Sequence, residues 1–281
     1  ETEFDTISKF GYFDKIKNNN DKISAFLTIQ EGCDKFCHFC VVPFTRGPEY
    51  SSPFQQIIDE AKYLSEKGTK EIVLLGQNVN AYNDGKNRLS NLIMEIEKIP
   101  DIKRIRYTTS HPKDMTEDLI DLYKNSQKLM PLVHLPVQSG SDKILELMNR
   151  KHTINEYKEL INKIRRIIPN CGISHDIITG FPNESEDDHK LTLELMNYVK
   201  YDFGFMFKYS ERPGTPAYKK LDDNVPEKIK QKRLQEIIDL QQKHSFNNLK
   251  DYVGTNCEVL IEKESKKSSQ FWCGRNSQNI M

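Results

Sequence analysis

The chain has 281 residues and a formal net charge of zero, 41 basic against 41 acidic side chains, so no global field draws it to nucleic acid or to a membrane surface. Hydrophobic residues make up 37% and charged residues 29%, an ordinary globular composition that can bury a full core as one large domain or two smaller ones. No apolar run approaches the ~20 residues a membrane helix needs, and no charged-then-apolar leader opens the chain, so a cytoplasmic protein without a membrane partner is expected.

Residues 1–22 are polar, with the cluster Asn18-Asn19-Asn20-Asp21, and read as a linker. Residues 24–30 (SAFLTIQ) form a short apolar run with a β-branched end, a buried strand. Its carboxyl end delivers Cys33, Cys37 and Cys40, spaced C-x3-C-x2-C with no fourth cysteine nearby. Three thiols cannot pair among themselves, and a structural zinc site wants four ligands. An iron–sulfur cubane takes one thiolate per iron, so three thiolates leave one iron open to a small molecule. The competing reading is a zinc loop that borrows a distant ligand such as Cys171 or His111.

A strand–helix alternation follows. Residues 53–67 carry Ile57, Ile58, Ala61 and Leu64 at helical spacing and stop at Gly68. Strands are expected at 71–75, 104–109, 132–137, 172–178 and 202–209, with helices between them. Asp114 with Glu117, and Thr153 with Glu156, resemble capping boxes, and Ser185 reads as another N-cap. Six strands separated by helices imply parallel pairing in an α/β fold, with sites at the carboxyl ends of the strands. Those ends carry Gly76-Gln77-Asn78, Ser110-His111, Gln138-Ser139-Gly140, Gly180-Phe181 and Arg212-Pro213-Gly214. From Pro226 the pattern changes to a long charged helix with Ile229, Leu234, Ile237, Ile238 and Leu240 on one side, read as a cover for the barrel rim. A new strand at 257–261 and a basic segment then lead to Met281, too short a stretch for a core of its own.

The C-x3-C-x2-C spacing, with Phe39 before the third cysteine, resembles the signature of the radical S-adenosylmethionine (SAM) enzymes. The flanking runs at residues 41–47, 74–82, 135–141 with 148–151, and 207–215 resemble one group within them, the methylthiotransferases, from residue 23 to residue 254. The resemblance implies an open, partial six-unit β/α barrel with a 4Fe–4S cluster on Cys33, Cys37 and Cys40 whose open iron binds S-adenosylmethionine. It further implies cofactor contacts at Phe39, Gly76, Gln77, Asn78, Gln138, Ser139, Gly180 and Phe181. No general acid or base is needed for hydrogen-atom abstraction. Residues 41–47 and 74–82 look most like the branch that puts a methylthio group at C2 of N(6)-(dimethylallyl)adenosine, next to the tRNA anticodon at position 37. The alternatives are the branches acting on threonylcarbamoyl-adenosine of tRNA or on a ribosomal-protein aspartate, and, in another class, a non-catalytic iron–sulfur RNA-binding scaffold.

Residues 257–278 resemble the first strands of the small RNA-binding β-barrel called TRAM. The expected organisation is thus a linker from a missing N-terminal domain (1–22), a radical SAM core (23–251) and a truncated TRAM domain (252–281). Lys266, Lys267, Trp272 and Arg275 are RNA candidates on the TRAM side, and Arg46, His111 and Arg212 on the core. Expected partners are tRNA carrying isopentenylated adenosine and an electron donor such as a flavodoxin or ferredoxin. The resemblance places a second, sulfur-supplying cluster in the missing N-terminal domain, with Cys171, Cys257 and Cys273 left as ordinary thiols.

Overall fold

A computed structural model of the chain describes residues 22–281; the linker expected at 1–22 lies, but for Lys22, outside the described residues. The first strand, β1 (Ser24–Thr28), runs into the short β2 (Gln30–Glu31), the cysteine loop, a one-turn helix α1 (Val42–Thr45) and β3 (Tyr50–Ser51), which pairs back on β2. Then come α2 (Phe54–Glu66), β4 (Glu71–Leu75), α3 (Leu89–Glu97), β5 (Arg104–Tyr107), α4 (Glu117–Asn125) and β6 (Leu132–His134). The next stretch holds α5 (Asp142–Leu147), α6 (Ile154–Ile167), β7 (Gly172–Thr179), α7 (Glu186–Val199) and β8 (Phe203–Lys208). A short α8 (Pro216–Lys220), the long α9 (Glu227–Lys250) and the antiparallel hairpin β9 (Val259–Ser265) and β10 (Ser268–Asn276) complete the chain.

The six long-range strands are all parallel and stand in chain order, as β1-β4-β5 and β6-β7-β8. The two sheets meet through residues 128–130, where Ile105 bridges Leu129 just before β6 begins. The result is an open α/β half-barrel rather than a closed one. Pleating assigns the faces: Leu27, Ile72, Leu74, Ile105, Val133, Ile173 and Ile177 turn outward into a core covered by helices. From α2, Ile57, Ile58, Ala61 and Leu64 fill that core, as their spacing requires. Each such fully buried aliphatic side chain contributes roughly 1.5–3 kcal/mol.

Local signals set most boundaries. Thr153 and Glu156 exchange the reciprocal bonds of a capping box at α6, and Ser185 does the same with Asp188 at α7. Four strands end sooner than expected: β1 at Thr28, β5 at Tyr107, β6 at His134 and, by one residue, β8 at Lys208. Beyond Tyr107 the chain reaches Thr109 at φ 63°, whose carbonyl accepts from Val79 N–H. Beyond His134, Pro136 has no N–H for the ladder, and pairing resumes only at Gln138.

Two expectations need correction. Asp114 does not cap α4; Thr116 holds that position, and the Asp114 carboxylate turns to Lys35 Nζ and Asn78 Nδ2, both at 2.7 Å. On α9 the buried stripe is Lys230, Arg233, Ile237, Gln241 and His244; of the aliphatic side read from sequence Ile237 is fully buried and Leu240 packs partly on the core, while Ile229, Leu234 and Ile238 stay off the stripe. The helix lies against β7, β8 and α7, where the groups to be met are polar: Gln241 takes His175 Nε2 at 2.9 Å, and Arg233 donates to the Glu184 carbonyl.

The terminal hairpin docks on the amino ends of the first sheet. Glu71 is fully buried, and its carboxylate accepts from Ser24 Oγ, Arg106 Nε and Arg275 Nη2. Arg106 and Arg104 in turn donate to the carbonyls of Asn276, Ser277 and Arg275. No helix among the described residues is long and apolar enough to cross a membrane.

Candidate functional site

The loop after β2 carries Cys33, Cys37 and Cys40 at the carboxyl end of the first sheet, and close contacts fix its path. Gly32 sits at φ 72°, and a Cβ there would come within 1.9 Å of the Pro48 carbonyl oxygen, so only glycine fits. Its N–H donates to Gln77 Oε1 at 2.7 Å. On the far side the loop is sewn to the end of α5: His38 N–H donates to the Met148 carbonyl, and Asn149 Nδ2 to the Phe36 carbonyl, both at 2.9 Å. Arg150 Nη1 stands 3.5 Å from Cys37 Sγ.

All six cysteines are free thiols. Burial pushes Cys33 up to about 11, and the neighbouring Cys37, Glu49 and Cys40 add to the rise. Burial also raises Cys40, with Cys37 contributing. Three thiols thus feel one another within a single loop, though among the described residues no three Cys, His, Asp or Glu side chains converge as a metal cage. The donor set suits a soft metal centre: iron held there would displace the protons that burial otherwise retains on Cys33 and Cys40, and Arg150, 3.5 Å from Cys37 Sγ, would offset part of the resulting charge.

Beside the loop, Gln30 organises the second strand end. Its Oε1 accepts from Gln77 N–H (2.8 Å) and Asn78 N–H (3.0 Å), and its Nε2 donates to the Gly32 carbonyl (2.8 Å). Gly76 passes so close that a Cβ would sit 2.7 Å from Gln30 Oε1. Asn78 is buried and its Oδ1 has no partner. Gln138 holds φ 78° and is built into the sheet by its N–H to the Asp176 carbonyl. Ser139 is buried and accepts from Ser141 N–H, inside the cap of α5. Gly180, at φ 68°, lies against the Lys230 stem, and its N–H, with that of Phe181, points to Glu184 Oε2. Phe181 packs edge-on to Tyr209, and Phe39 joins the same small apolar cluster. Phe39 and Phe181 are therefore brought together, as are Cys33 and Gly76-Gln77-Asn78.

The RNA candidates separate. Arg46 and Arg212 are exposed at the carboxyl end, and Lys266, Lys267 and Trp272 are exposed on the terminal hairpin. His111 and Arg275 differ from the expectation. His111 is buried, its Nδ1 accepts from Lys113 N–H to cap a turn, and burial with the nearby Arg150 charge lowers it to about 2. Arg275 spends its guanidinium on Glu71, Glu262 and Ser24. Sequence reasoning missed Gln30, Asp114 and Arg150. The buried, amide-ended Gln30 at the close of an apolar run was one available signal, and the 148–151 run that contains Arg150 was another; Asp114, read as a cap, had none, because its partners lie far off in the chain.

A family profile described as the Radical SAM superfamily matches residues 27–196. The chain is 51% identical to the tRNA-2-methylthio-N(6)-dimethylallyladenosine synthase of Christiangramia forsetii over 97% of its own length. It is 56% identical to the synthase of the same name from Pelagibacter ubique over 95% of its length. It spans about 60% of the length of each of these relatives. Among solved structures, coproporphyrinogen III oxidase from Escherichia coli superposes with a TM-score of 0.58 at 17% identity, over 79% of this chain and 53% of that one. The radical SAM methyltransferase TsrM from Kitasatospora setae gives 0.57 at 16% identity, over 69% and 38%. These two likenesses show a shared fold.

Proposed function

This chain belongs to the radical SAM superfamily, and from that premise we propose that it is the cofactor-holding core of a tRNA methylthiotransferase. Its target is C2 of N(6)-(dimethylallyl)adenosine beside the anticodon, at position 37. The observation that carries the reading is the seating of the Cys33–Cys37–Cys40 loop against Gly76-Gln77-Asn78, locked by Gly32 and Gln77. The curated relatives in two organisms, matched over nearly all of this chain, support the choice of substrate.

In this reading Cys33, Cys37 and Cys40 would hold a 4Fe–4S cluster, with S-adenosylmethionine bound beside it. When bound, the pair supplies a 5′-deoxyadenosyl radical able to take hydrogen from an unactivated C–H bond. The chain's own part is placement. Gly76 allows close backbone approach, and Asn78 Oδ1 offers an unpaired acceptor to an ammonium group. Gln138 and Ser139 lie at the next sheet's carboxyl end, and the half-buried Phe39, backed by the fully buried Phe181, offers an apolar face suited to an adenine ring. In this reading the exposed Arg46 and Arg212 meet tRNA phosphates, and the exposed Lys266, Lys267 and Trp272 meet RNA from the hairpin, read as the start of a TRAM domain. The complete cytoplasmic enzyme needs a sulfur-supplying cluster outside residues 22–281 and an electron donor such as a flavodoxin or ferredoxin.

Anaerobic reconstitution with iron and sulfide tests this. The chain should take up one cluster and, once reduced, release 5′-deoxyadenosine slowly without RNA. Each single cysteine-to-alanine change at 33, 37 or 40 should abolish the visible absorption. A triple-alanine variant that kept full iron and sulfide would remove the basis of the reading.

A further inference from the structure

Alternation along β7 and β8 sorts their side chains onto two faces. Ile173 and Ile177 lie in the helix-covered core and His175 meets Gln241 of α9, so Ser174, Asp176 and Ile178 face the lumen of the half-barrel. On β8, Gly204 lies against the His175 ring, where a Cβ would come within 2.2 Å of Nε2. Phe203, Phe205 and Phe207 therefore face the lumen too, and Phe205 is the register partner of Asp176. His134, the register partner of Ser174, completes the group. Its Nδ1 is 2.9 Å from Ser174 Oγ, its Nε2 is 3.4 Å from Asp176 Oδ1, and its ring is edge-on to Phe205 at 6.0 Å.

The polarity is inverted for a folding device. Asp176 Oδ1 is buried with no hydrogen-bond partner, while Phe205 is 55% and Phe207 54% exposed. Stability alone favours covered rings and no polar atom left both dry and unpaired, yet the Asp176 side chain, 26% exposed, keeps its Oδ1 neither wet nor bonded. Both departures are repaired by one kind of occupant: a flat ring that covers the phenyl face and brings a donor to the oxygen. The Asp176 carbonyl accepts from Gln138 N–H, so this place lies directly beneath the loop carrying Gln138 and Ser139.

We propose that Asp176, Phe205 and His134 form the seat of a planar heteroaromatic base that carries an exocyclic N–H. The ring stacks on Phe205, the N–H donates to Asp176 Oδ1, and His134, held by Ser174, is a positioning residue that fixes the carboxylate. An adenine with one alkyl group on its exocyclic nitrogen keeps such an N–H; with two alkyl groups it has none. The proposal rests on the tRNA reading above and adds to it the place where the target base sits.

Fluorescence anisotropy with the cluster-reconstituted chain tests it, using three anticodon stem-loops. One carries N6-isopentenyladenosine, one N6,N6-dimethyladenosine and one an abasic site at the same position. The chain should bind the first about tenfold more tightly than the abasic form, the scale of one stacked base, and should prefer it to the dialkylated form. Asp176→Leu should erase the preference for the monoalkylated base. Phe205→Ala should pull both base-carrying stem-loops down to the abasic affinity, and Phe205→Tyr should restore it. Phe205 is half exposed, so its variants fold even if the Asp176 variant does not, and they then decide alone. Variants that keep the parent's preferences overturn the seat. A parent chain that binds all three alike also overturns it, whereas one that binds none overturns the tRNA reading itself; 5′-deoxyadenosine release without RNA is scored separately.

Discussion

At the amino end of β4, Glu71 is buried and each of its carboxylate oxygens is taken, by Ser24 and Arg275 on one and Arg106 on the other. At the carboxyl end of the same strand, Asn78 is just as buried and keeps Oδ1 unpaired. The contrast extends across the sheet. Buried side-chain atoms without partners occur at Ser110, Arg150 and His152 near the cysteine loop, on the lumen at Asp176, and under α9; among the described residues none belongs to the Glu71–Arg104–Arg106–Arg275 network. The amino end of the strands is closed by matching charge to charge, while the carboxyl end, like the seam under α9, keeps polar groups unpaired. A satisfied network holds the fold together, and at the carboxyl end, beside the cysteine loop, the unpaired groups are free to meet something that binds.

Removing the counter-charge at the closed end should have the largest effect. Glu71→Ala leaves Arg106 buried, with Arg275 beside it, without a carboxylate, and should cost roughly 3–5 kcal/mol in denaturant unfolding. An unchanged unfolding midpoint would erase the distinction between the two ends.

The second effect belongs to the open end and depends on pH. Burial, reinforced by Arg150, lowers His111 to about 2 and His152 to about 3 against an ordinary 6.5, with Lys113 adding to both, Lys35 also lowering His111 and Glu156 opposing at His152. Both rings fold neutral, so the stability they contribute is whole above pH 6.5 and is lost as the pH falls below it, about 2 kcal/mol for each ring by pH 5. His152→Phe keeps an aromatic ring beside His111 and should remove about half of that loss. A variant with the parent's full pH slope would show that these rings are protonated in the native state.

The smallest effect should be on the hairpin's outer side. Lys266→Ala with Lys267→Ala should leave stability within about 0.5 kcal/mol of the parent, since both side chains are exposed. On the proposed tRNA reading, the same variant should flatten the salt dependence of binding to a tRNA, by about 1–2 in the log–log slope. An unchanged slope would leave the hairpin as a closure for the barrel and nothing more.

What could be read from the sequence was what is local. The Thr153–Glu156 and Ser185 caps and the α2 stripe follow from residues within a few positions of one another, the parallel pairing follows from the plain alternation of strand and helix, and the structure has them. The three-thiol loop and the glycines at 76 and 180 were legible for the same reason. Asp114 satisfied the spacing of a capping box and still went elsewhere, because Lys35 and Asn78 offered it two charged or amide donors from other elements. The α9 aliphatics followed a helical period, but the surface beneath that helix is polar, so its buried stripe is polar but for Ile237. Arg275 sits in a basic, exposed-looking segment, and only the distant Glu71 reveals that it turns inward. Basic residues announce their charge in a sequence, but not their partner.

The bond from Arg275 Nη2 to Ser24 Oγ spans 251 residues. A contact of that separation comes late in folding, since the entropy of closing so long a loop must be met before the bond can form. On a ribosome adding about 5–20 residues per second, β1 waits roughly 12–50 s after its own synthesis before Arg275 exists to cap it. During that interval Glu71 and Arg106 hold each other while the amino end of the first sheet stays open to water. Nascent chains halted just short of β10 are therefore where protease sensitivity and chaperone capture should concentrate, with the cysteine loop already in place.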